Sequence, residues 1–341
     1  MSAPASTAPN RNVLELGIGP VHLGTRGADD DAAEFAEDVL HGLARSNKSI
    51  PSRWLYDERG AQLFERVTSL DAYYPLRTET WILERSAAQI AAEAGPGATL
   101  IELGARAGGN THILLAALDR PAAYIPIDIA PRFDANRLQA LRSRFPSVRV
   151  APVIADFARL AQLPAAASPA HSSRHIVYLP GSAIGHFTPH DAVNLLQRIG
   201  RCVGRNALLV IGADTTHDPA VLMPAYDDGE GAAAAFNKNL LARINRELNG
   251  DFDLDAFDHR ARFDARCQCV EMQLVSRGEL EVHVLGQRFA FERGEALRTA
   301  ADYKYGFFKF HAVARDAFWA HRQFWTDAHA RFALHVLERA A

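Results

Sequence analysis

Two glycine-containing stretches of the sequence could hold a nucleotide-like cofactor, LELGIGP at 14–20 and LIELGARAGG at 100–109. Such a loop needs a strand that leads into it and a helix that leaves it with its N-terminus towards the ligand. It also needs an acid about 20 residues later to accept the ribose hydroxyls. The first stretch follows a polar tail and runs into Pro20 with no second strand behind it. We therefore interpret it as a short edge strand or N-terminal arm without a cofactor.

The second stretch has all three features. Leu100–Leu103 predicts a strand, a helix follows from about Asn110, and Asp128 ends the strand AAYIPIDI. Asp156 and Phe157 end the next strand, where an acid and a ring commonly flank an adenine in this architecture. A dinucleotide would require the complete G-x-G-x-x-G loop for its pyrophosphate, and this loop lacks it. S-adenosylmethionine has no phosphate, so the residues present favour this cofactor.

The segments around the second loop alternate between strand and helix. The strands are predicted in TLIELG, AAYIPIDI, VRVAPVIADF, HIVYLPGSAIG and NALLVIGAD, and the helices in NTHILLAALD, PRFDANRLQALRSRF and DAVNLLQRIGRCV. Such alternation is typical of a parallel sheet with helices on both faces. We predict an α/β fold with a Rossmann-like class I methyltransferase domain built on a doubly wound sheet. A strand pair around QFWTD and RFALHVL near the end of the chain could return to the edge of that sheet.

The remaining segments predict a second, inserted α+β domain. Residues 29–46 have helical spacing, a short helix is expected near Gln62–Thr68, and a long one from about Glu79. The signal is helical and charged over 218–258 and alternates as strands over 262–293. We predict a discontinuous substrate-binding domain over 1–77 plus 216–304, with 1–28 flexible. The methyltransferase domain is predicted over 78–215 plus 305–341.

The composition is that of an ordinary globular protein. Of 341 residues, 48% are hydrophobic and 23% charged, and the formal net charge is -3, so nothing indicates a nucleic-acid or anionic-lipid partner. The apolar runs are shorter than the ~20 residues that cross a bilayer, and no secretory signal is evident, so we expect a cytoplasmic protein without a membrane partner. We expect a monomer or a weak homodimer.

The three cysteines are Cys202, Cys267 and Cys269, and they do not form a metal-like pattern. We expect neither zinc nor a disulfide. Cys267 and Cys269 could form a thiol switch, but alternate residues of a strand share one face, and small buried thiols often fill cores. The second interpretation is favoured.

Several long, irregular motifs resemble one known family. They are NKSIPSRWLYDERGAQLFERVTSLDAYYPLRTE, LIELG, IPIDI, ADF, LPGSAIGHFTP, AYDDGEGAAAAFNKNLLARINRELNGDFDLDAFDH, VEMQLVSR and RTAADYKY. Over nearly the whole chain after residue 34, the sequence is similar to the histidine-specific N-alpha methyltransferases of ergothioneine biosynthesis. Fungal indole-alkaloid and tryptophan N-methyltransferases share the motifs more distantly.

The resemblance implies two sets of site residues and a small-molecule amino acid or amine substrate. The residues implied around the cofactor are Tyr56, Gly104, Arg106, Asp128, Asp156 and Phe157. Those implied in the substrate pocket are Tyr73, His186, Tyr226, Met272, Ala300 and Asp302. Methyl transfer needs a neutral amine, so the ammonium of the substrate must first lose a proton, either to water or to a neighbouring acceptor such as Tyr73 or His186.

Four positions depart from the family pattern. Arg106 replaces a glycine and could either crowd the cofactor's carboxylate or bind it. His186 stands in place of an asparagine that holds the substrate's amino and carboxylate groups. Ala300 and Asp302 replace a glutamate and a serine that bind the imidazole of histidine. Ala300 opens volume for a larger ring, and Asp302 could bind imidazole, an indole N–H or a cationic side chain.

The leading hypothesis is therefore an S-adenosylmethionine-dependent N-methyltransferase that acts on the alpha-amine of an amino acid or related amine. Two alternatives stay open at this point. The chain could be a divergent relative that serves as a binding or partner protein, or an enzyme that performs another reaction in the same cleft.

Overall fold

The computed structural model describes residues 21–22, 28–105, 109–128, 135–163 and 172–340. The chain begins with a short strand and three helices: β1 (Val21–His22), α1 (Ala28–Ala44), α2 (Glu58–Ser69) and α3 (Tyr74–Ala94). Asp57 caps α2 by accepting a hydrogen bond from the backbone N–H of Gly60 at 2.7 Å. The long helix starts five residues before the predicted Glu79, because Pro75 occupies its first turn, where proline is well tolerated.

The next segment alternates between strands and helices, as predicted. Its elements are β2 (Thr99–Leu103), α4 (Thr111–Ala117), β3 (Ala123–Asp128), α5 (Ala135–Arg144), β4 (Arg149–Val150), β5 (Val153–Ile154), β6 (His175–Leu179), α6 (Pro189–Val203) and β7 (Leu208–Asp214). The single strand predicted over 148–157 is divided into β4 and β5. Pro152 lies between them, and it has no N–H to donate to a neighbouring strand.

The inserted segment begins with two helices and continues as antiparallel strands. It contains α7 (Pro219–Tyr226), α8 (Ala232–Glu247), β8 (Phe257–Asp264), β9 (Cys269–Ser276), β10 (Leu280–Val284), β11 (Gln287–Phe291) and β12 (Ala296–Tyr303). β9 lies between β12 and β8, and β10 pairs with β11 as a hairpin. This is the α+β arrangement that the sequence predicts.

The chain ends with α9 (Phe307–Asp316), β13 (Trp319–Thr326) and β14 (Phe332–Arg339). The large sheet has the order β1-β5-β3-β2-β6-β7-β14-β13. Its strands are parallel up to β7, and β14 then pairs antiparallel with β7 and with β13. The predicted return of a terminal strand pair to the sheet edge is confirmed, as is the doubly wound Rossmann-like sheet.

Hydrophobic residues on alternate positions of the large sheet pack against opposite layers. Ile101 and Val177 belong to a core with α6 and α9, whereas Leu100 and Ile176 belong to a core with α3 and α4. A third core is formed by residues between Phe35 and Tyr74 and between Leu222 and Ala300. Strand side chains alternate between the two faces of a sheet, so both faces of this sheet are covered by helices.

One expectation about the cysteines is wrong. The structure joins Cys267 and Cys269 in a disulfide, whereas the sequence analysis favoured free thiols on one strand. Cys267 lies in the turn after β8 and Cys269 begins β9, and Gln268 between them has a left-handed φ of 54°. This turn brings the two Cα atoms to 5.4 Å, within the range that a disulfide spans.

Two further expectations concern particular segments. LELGIGP at 14–20 lies outside the described residues, so the interpretation of this stretch stays a prediction. Within the described ranges, no helix combines the length and the apolar character needed to cross a membrane.

Candidate active site

The turn after β2 lies where the sequence predicts a cofactor loop. Gly104 has a left-handed φ of 73°, which favours glycine over other residues. The backbone N–H groups of Gly104 and Ala105 donate to the carbonyl of Ile127 at 2.9 and 3.2 Å, which ties the turn to the end of β3. Arg106, in residues 106–108, lies outside the described part of the chain.

Three further residues predicted at the cofactor meet at the same edge of the sheet. Asp128 is the last residue of β3 and is 6% exposed. Its carbonyl accepts a hydrogen bond from the N–H of Ala155 at 2.9 Å, so Asp156 and Phe157 follow directly beside it. A β carbon at Gly104 would lie 3.6 Å from the ring of Phe157. The carboxyl ends of parallel strands form the usual ligand crevice of such sheets.

Two buried glutamates support this edge: Glu102, which belongs to the motif LIELG, and Glu79, which was predicted only as the start of a helix. Glu102 in β2 accepts hydrogen bonds from the hydroxyls of Thr111, at 2.6 Å, and Tyr124. Glu79 in α3 accepts from the N–H of Gly181 at 2.9 Å and from the amide of Asn110 at 3.3 Å. Burial raises the pKa of each glutamate to about 7. Glu102 of the motif LIELG thus stabilises the end of β2 through hydrogen bonds within the protein.

A group of aromatic residues lies beside His186. The rings of Tyr56 and Phe236 have centroids 5.3 Å apart, and Phe64 contacts both Tyr56 and Tyr73. The hydroxyl of Tyr56 lies 3.5 Å from Nε2 of His186. Tyr56, which the resemblance implies at the cofactor, therefore contacts residues implied at the substrate.

The other residues predicted in the substrate pocket lie on α7, β9 and β12. Ala300 pairs with Met272 across the two strands, and both are buried in the core of the inserted domain. The hydroxyl of Tyr226 donates a hydrogen bond to Oδ2 of Asp302. Oδ1 of Asp302 is buried and has no hydrogen-bond partner among the described residues.

A fully buried lysine connects this pocket to the large sheet, and it was missed by the sequence analysis. Nζ of Lys304 lies 2.7 Å from Oδ2 of Asp214 at the end of β7 and 2.7 Å from the hydroxyl of Tyr226. Oδ2 of Asp302 is 3.5 Å away from the same Nζ. Tyr74 donates to Asp214 at 2.6 Å. Lys304 lies within the quoted motif RTAADYKY, and Asp214 ends a strand as Asp128 does, which are the signals that could have revealed them.

The electrostatic environment separates the two residues suggested as proton acceptors. Burial, followed by the charge of Asp302, raises the pKa of Tyr73 well above its usual value, so its phenol keeps its proton. His186 is exposed to solvent, and desolvation by the residues packed near its ring lowers its pKa. A neutral imidazole retains a lone pair, so His186 is better suited than Tyr73 to accept a proton.

Comparisons with known proteins agree with this geometry. A family model described as "Histidine-specific methyltransferase, SAM-dependent" matches residues 35–339. The chain belongs to this family. The methyltransferase is 35% identical over 318 residues to the histidine N-alpha-methyltransferase of Mycolicibacterium smegmatis, covering 92% of this chain and 97% of the relative.

Two other relatives extend the comparison. A histidine N-alpha-methyltransferase of Mycobacterium tuberculosis is 35% identical over 324 residues, with 92% of this chain and 96% of the relative covered. A 4-dimethylallyltryptophan N-methyltransferase of Aspergillus fumigatus is 24% identical over 202 residues, with 57% of this chain and 60% of the relative covered. The chain is an S-adenosylmethionine-dependent N-methyltransferase, as the sequence analysis predicted, and neither alternative gains support.

Proposed function

We propose that the methyltransferase transfers a methyl group to the alpha-amino nitrogen of an amino acid or related small amine. One observation carries the proposal: Tyr56, His186 and Asp302 lie close together, and His186 follows β6, the strand that pairs with β2, which ends just before Gly104. The relatives named for histidine and for dimethylallyltryptophan support an amino acid with a nitrogen-containing side chain.

We also propose the division into domains that the sequence predicts, with 1–77 plus 216–304 as the substrate-binding domain. Membership of the hydrophobic cores supports it. The core of the inserted domain draws its buried residues from 35–74 and 222–300, and the two cores of the large sheet draw theirs from 82–213 and 305–337. The cytoplasmic location and the monomeric or weakly dimeric state stay expectations, the second of which light scattering can measure.

The residues at the sheet edge fit S-adenosylmethionine. Asp128 would accept hydrogen bonds from the ribose hydroxyls, and Asp156 and Phe157 would hold the adenine. Gly104 leaves the backbone of the turn uncovered by a side chain on that side. Bound there, the cofactor supplies an electrophilic methyl group on its sulfonium. Arg106 is proposed to neighbour the cofactor's carboxylate, as the resemblance implies.

The chain's own residues would mainly position the amine. An ammonium has no free lone pair, so the substrate must lose a proton before it attacks. His186 is proposed to accept that proton, directly or through water. The rings of Tyr56 and Tyr73 would exclude water and stabilise the developing positive charge on the nitrogen by cation–π contact. Met272 and Ala300 would line the apolar side of the pocket.

A panel of amino acids and amines, incubated with the enzyme and S-adenosylmethionine and analysed by mass spectrometry for added methyl groups, tests the proposal. We expect at least one amino acid to gain methyl groups at the alpha-nitrogen. The change His186→Ala should lower kcat/KM by about 100-fold or more if a proton acceptor is lost. His190→Ala, an exposed histidine at the start of α6, is the matched control and should leave the rate unchanged.

Calorimetry with S-adenosylhomocysteine tests the cofactor residues separately. Asp128→Asn should weaken binding by about 10-fold or more, because a charge-assisted hydrogen bond is lost. If the protein binds the cofactor product but no panel member is methylated, the proposed function is wrong. If Asp128→Asn binds as tightly as the wild type, the placement of the ribose is wrong.

A further inference from the structure

We propose that the pocket selects an amino acid whose side chain ends in a positive charge, with the carboxylate of Asp302 as the group that recognises it. This inference rests on the proposed function, because it names the substrate class of the same site. It decides between the three partners that the sequence left open for Asp302, namely an imidazole, an indole N–H and a cationic side chain.

The buried part of the pocket contains more carboxylates than ammonium groups. Two carboxylates, Asp214 and Asp302, face one ammonium, that of Lys304. Asp214 has three hydrogen-bond donors: Lys304, Tyr74 and the N–H of Thr216, the last at 3.2 Å. Burial raises the pKa of the Asp214 carboxyl, and the three donors, one of them the Lys304 ammonium, oppose that rise. Asp302 shares the same lysine at the longer distance of 3.5 Å, so one negative charge in the group is left uncompensated.

The groups around Asp302 do not supply the missing positive charge. Tyr56, Tyr73 and Tyr226 surround it with neutral phenols, whose pKa values burial raises further. Desolvation by neighbouring residues lowers the pKa of His186, so its imidazole stays neutral near pH 7. A buried carboxylate that shares its only cation with a second carboxylate is costly, and a cationic ligand would relieve that cost.

The carboxylate of Asp302 is held by its neighbours in one position. Oδ1 lies against Gly185, where a β carbon would collide with it, and has no hydrogen-bond donor among the described residues. Oδ2 binds Tyr226 and faces Lys304. The side chain as a whole is nevertheless 12% exposed. The carboxylate is thus fixed in place, and Oδ1 is an acceptor that no donor among the described residues satisfies.

Asp302 has apolar neighbours, and the same predicted domain bears an acidic cavity. Met272 and Ala300 give an apolar wall beside Asp302, which suits the aliphatic stem of a long cationic side chain. An open cavity of about 670 Å³ is lined by residues that neighbour Tyr73 and Tyr226 in sequence, not by the pocket residues themselves, and none of its ten lining residues is basic. Its acidic residues are Asp71, Asp227, Asp228 and Glu230. Such a lining raises the local concentration of cations.

A neutral donor would satisfy only part of this arrangement. An imidazole or an indole N–H could donate a hydrogen bond to Asp302, but it would leave the excess charge in place. A guanidinium or an ammonium provides both the hydrogen bond and the charge, and charge complementarity of this kind mainly determines specificity. Arginine and lysine are therefore the probes that match the pocket.

The test compares substrates of nearly equal shape that differ in charge. Arginine is paired with citrulline and lysine with norleucine, and histidine and tryptophan are included as neutral-ring references. We expect kcat/KM for arginine or lysine to exceed that of its uncharged counterpart by at least 10-fold. In Asp302→Asn, which keeps the size and an acceptor for Tyr226, the preference should fall to less than about 2-fold.

Asp119→Asn, an exposed aspartate beyond the opposite ends of the strands, is the matched control and should keep the full preference. Equal S-adenosylhomocysteine affinity and equal melting temperature in the wild type and Asp302→Asn establish that the variant is folded. Methylation of citrulline or norleucine as efficiently as of the charged partner overturns the inference while the proposed function stands. The inference is also overturned, while the proposed function stands, if Asp302→Asn keeps the wild-type order of substrate preference. A panel without any methylated member, despite cofactor binding, overturns the proposed function and this inference with it.

Discussion

Replacing Lys304 by methionine should strongly destabilise the protein. Methionine is similar in length and apolar, so the change removes the ammonium while largely filling its space. Lys304 and Asp214 are both 0% exposed, and the pair lies at 2.7 Å. Removing one partner of a buried ion pair costs about 3–5 kcal/mol, because the other charge is left without compensation.

The structure places the expected cost at the lower end of that range. Asp214 keeps its hydrogen bonds from Tyr74 and Thr216 after the substitution, so we expect a loss of about 3 kcal/mol, or roughly a 100-fold change in the folding equilibrium. Burial opposes the charge of Lys304, but the carboxylates of Asp214 and Asp302 outweigh it and raise its pKa. The lysine is therefore charged at pH 7, and the full cost should be seen there.

Urea unfolding at equilibrium, followed by tryptophan fluorescence, measures the loss through the midpoint and slope. The double variant Lys304→Met with Asp214→Asn should recover part of the stability, because it removes the unpaired charge that the single variant leaves. Arg277→Met, which breaks an exposed pair with Asp258, is the matched control and should leave the midpoint unchanged. A loss below about 1 kcal/mol for Lys304→Met, or no recovery in the double variant, would refute the reasoning.

Two further predictions concern buried titratable groups outside the proposed pocket. The pKa of Glu102 is raised by burial from 4.5 to about 7, so the folded state binds the extra proton and loses stability as pH rises from about 4.5 to about 7. The free energy of unfolding of Glu102→Gln should therefore rise relative to that of the wild type by up to about 3 kcal/mol between pH 5 and 8.5. Urea unfolding at several pH values measures this difference. A difference that does not change with pH would contradict the prediction. Burial lowers the pKa of His335 to about 3, so the unfolded state binds the proton first and stability is lost as pH falls from 6.5 towards 3. His335→Phe, which keeps a ring against Phe310, should lose less stability than the wild type over that window, and identical acid unfolding curves would disprove the assignment.

Local patterns of the sequence were sufficient to predict the fold class and the strand ends where the cofactor is proposed to bind. The strands around Leu100–Leu103 and Asp128 are short, apolar and bounded by turn residues, so their type depends mainly on neighbours in the chain. The inserted α+β segment was predicted for the same reason. The beginning of α3 and the division of the strand at Pro152 were missed, because a single proline alters hydrogen bonding over two or three residues.

The composition of the pocket depended on contacts between distant residues. Lys304 and Asp214 are 90 residues apart, and Glu79 is 102 residues from Gly181. Neither periodicity nor a motif predicts which buried charged residues will pair, because such pairs form only when the sheet and the inserted domain pack together. The disulfide between Cys267 and Cys269 was misjudged for a related reason, since it depends on the left-handed turn at Gln268.

The sequence by itself thus determined the alternation of strands and helices and the family, and it supplied the proposed site residues, including the unusual Ala300 and Asp302. Only the tertiary structure decided that Asp302 lies beside Lys304 and Tyr226 with one oxygen unpaired. The physical reason is that secondary structure follows from local side-chain patterns, whereas the cost of burying a charge depends on every group that folding brings around it.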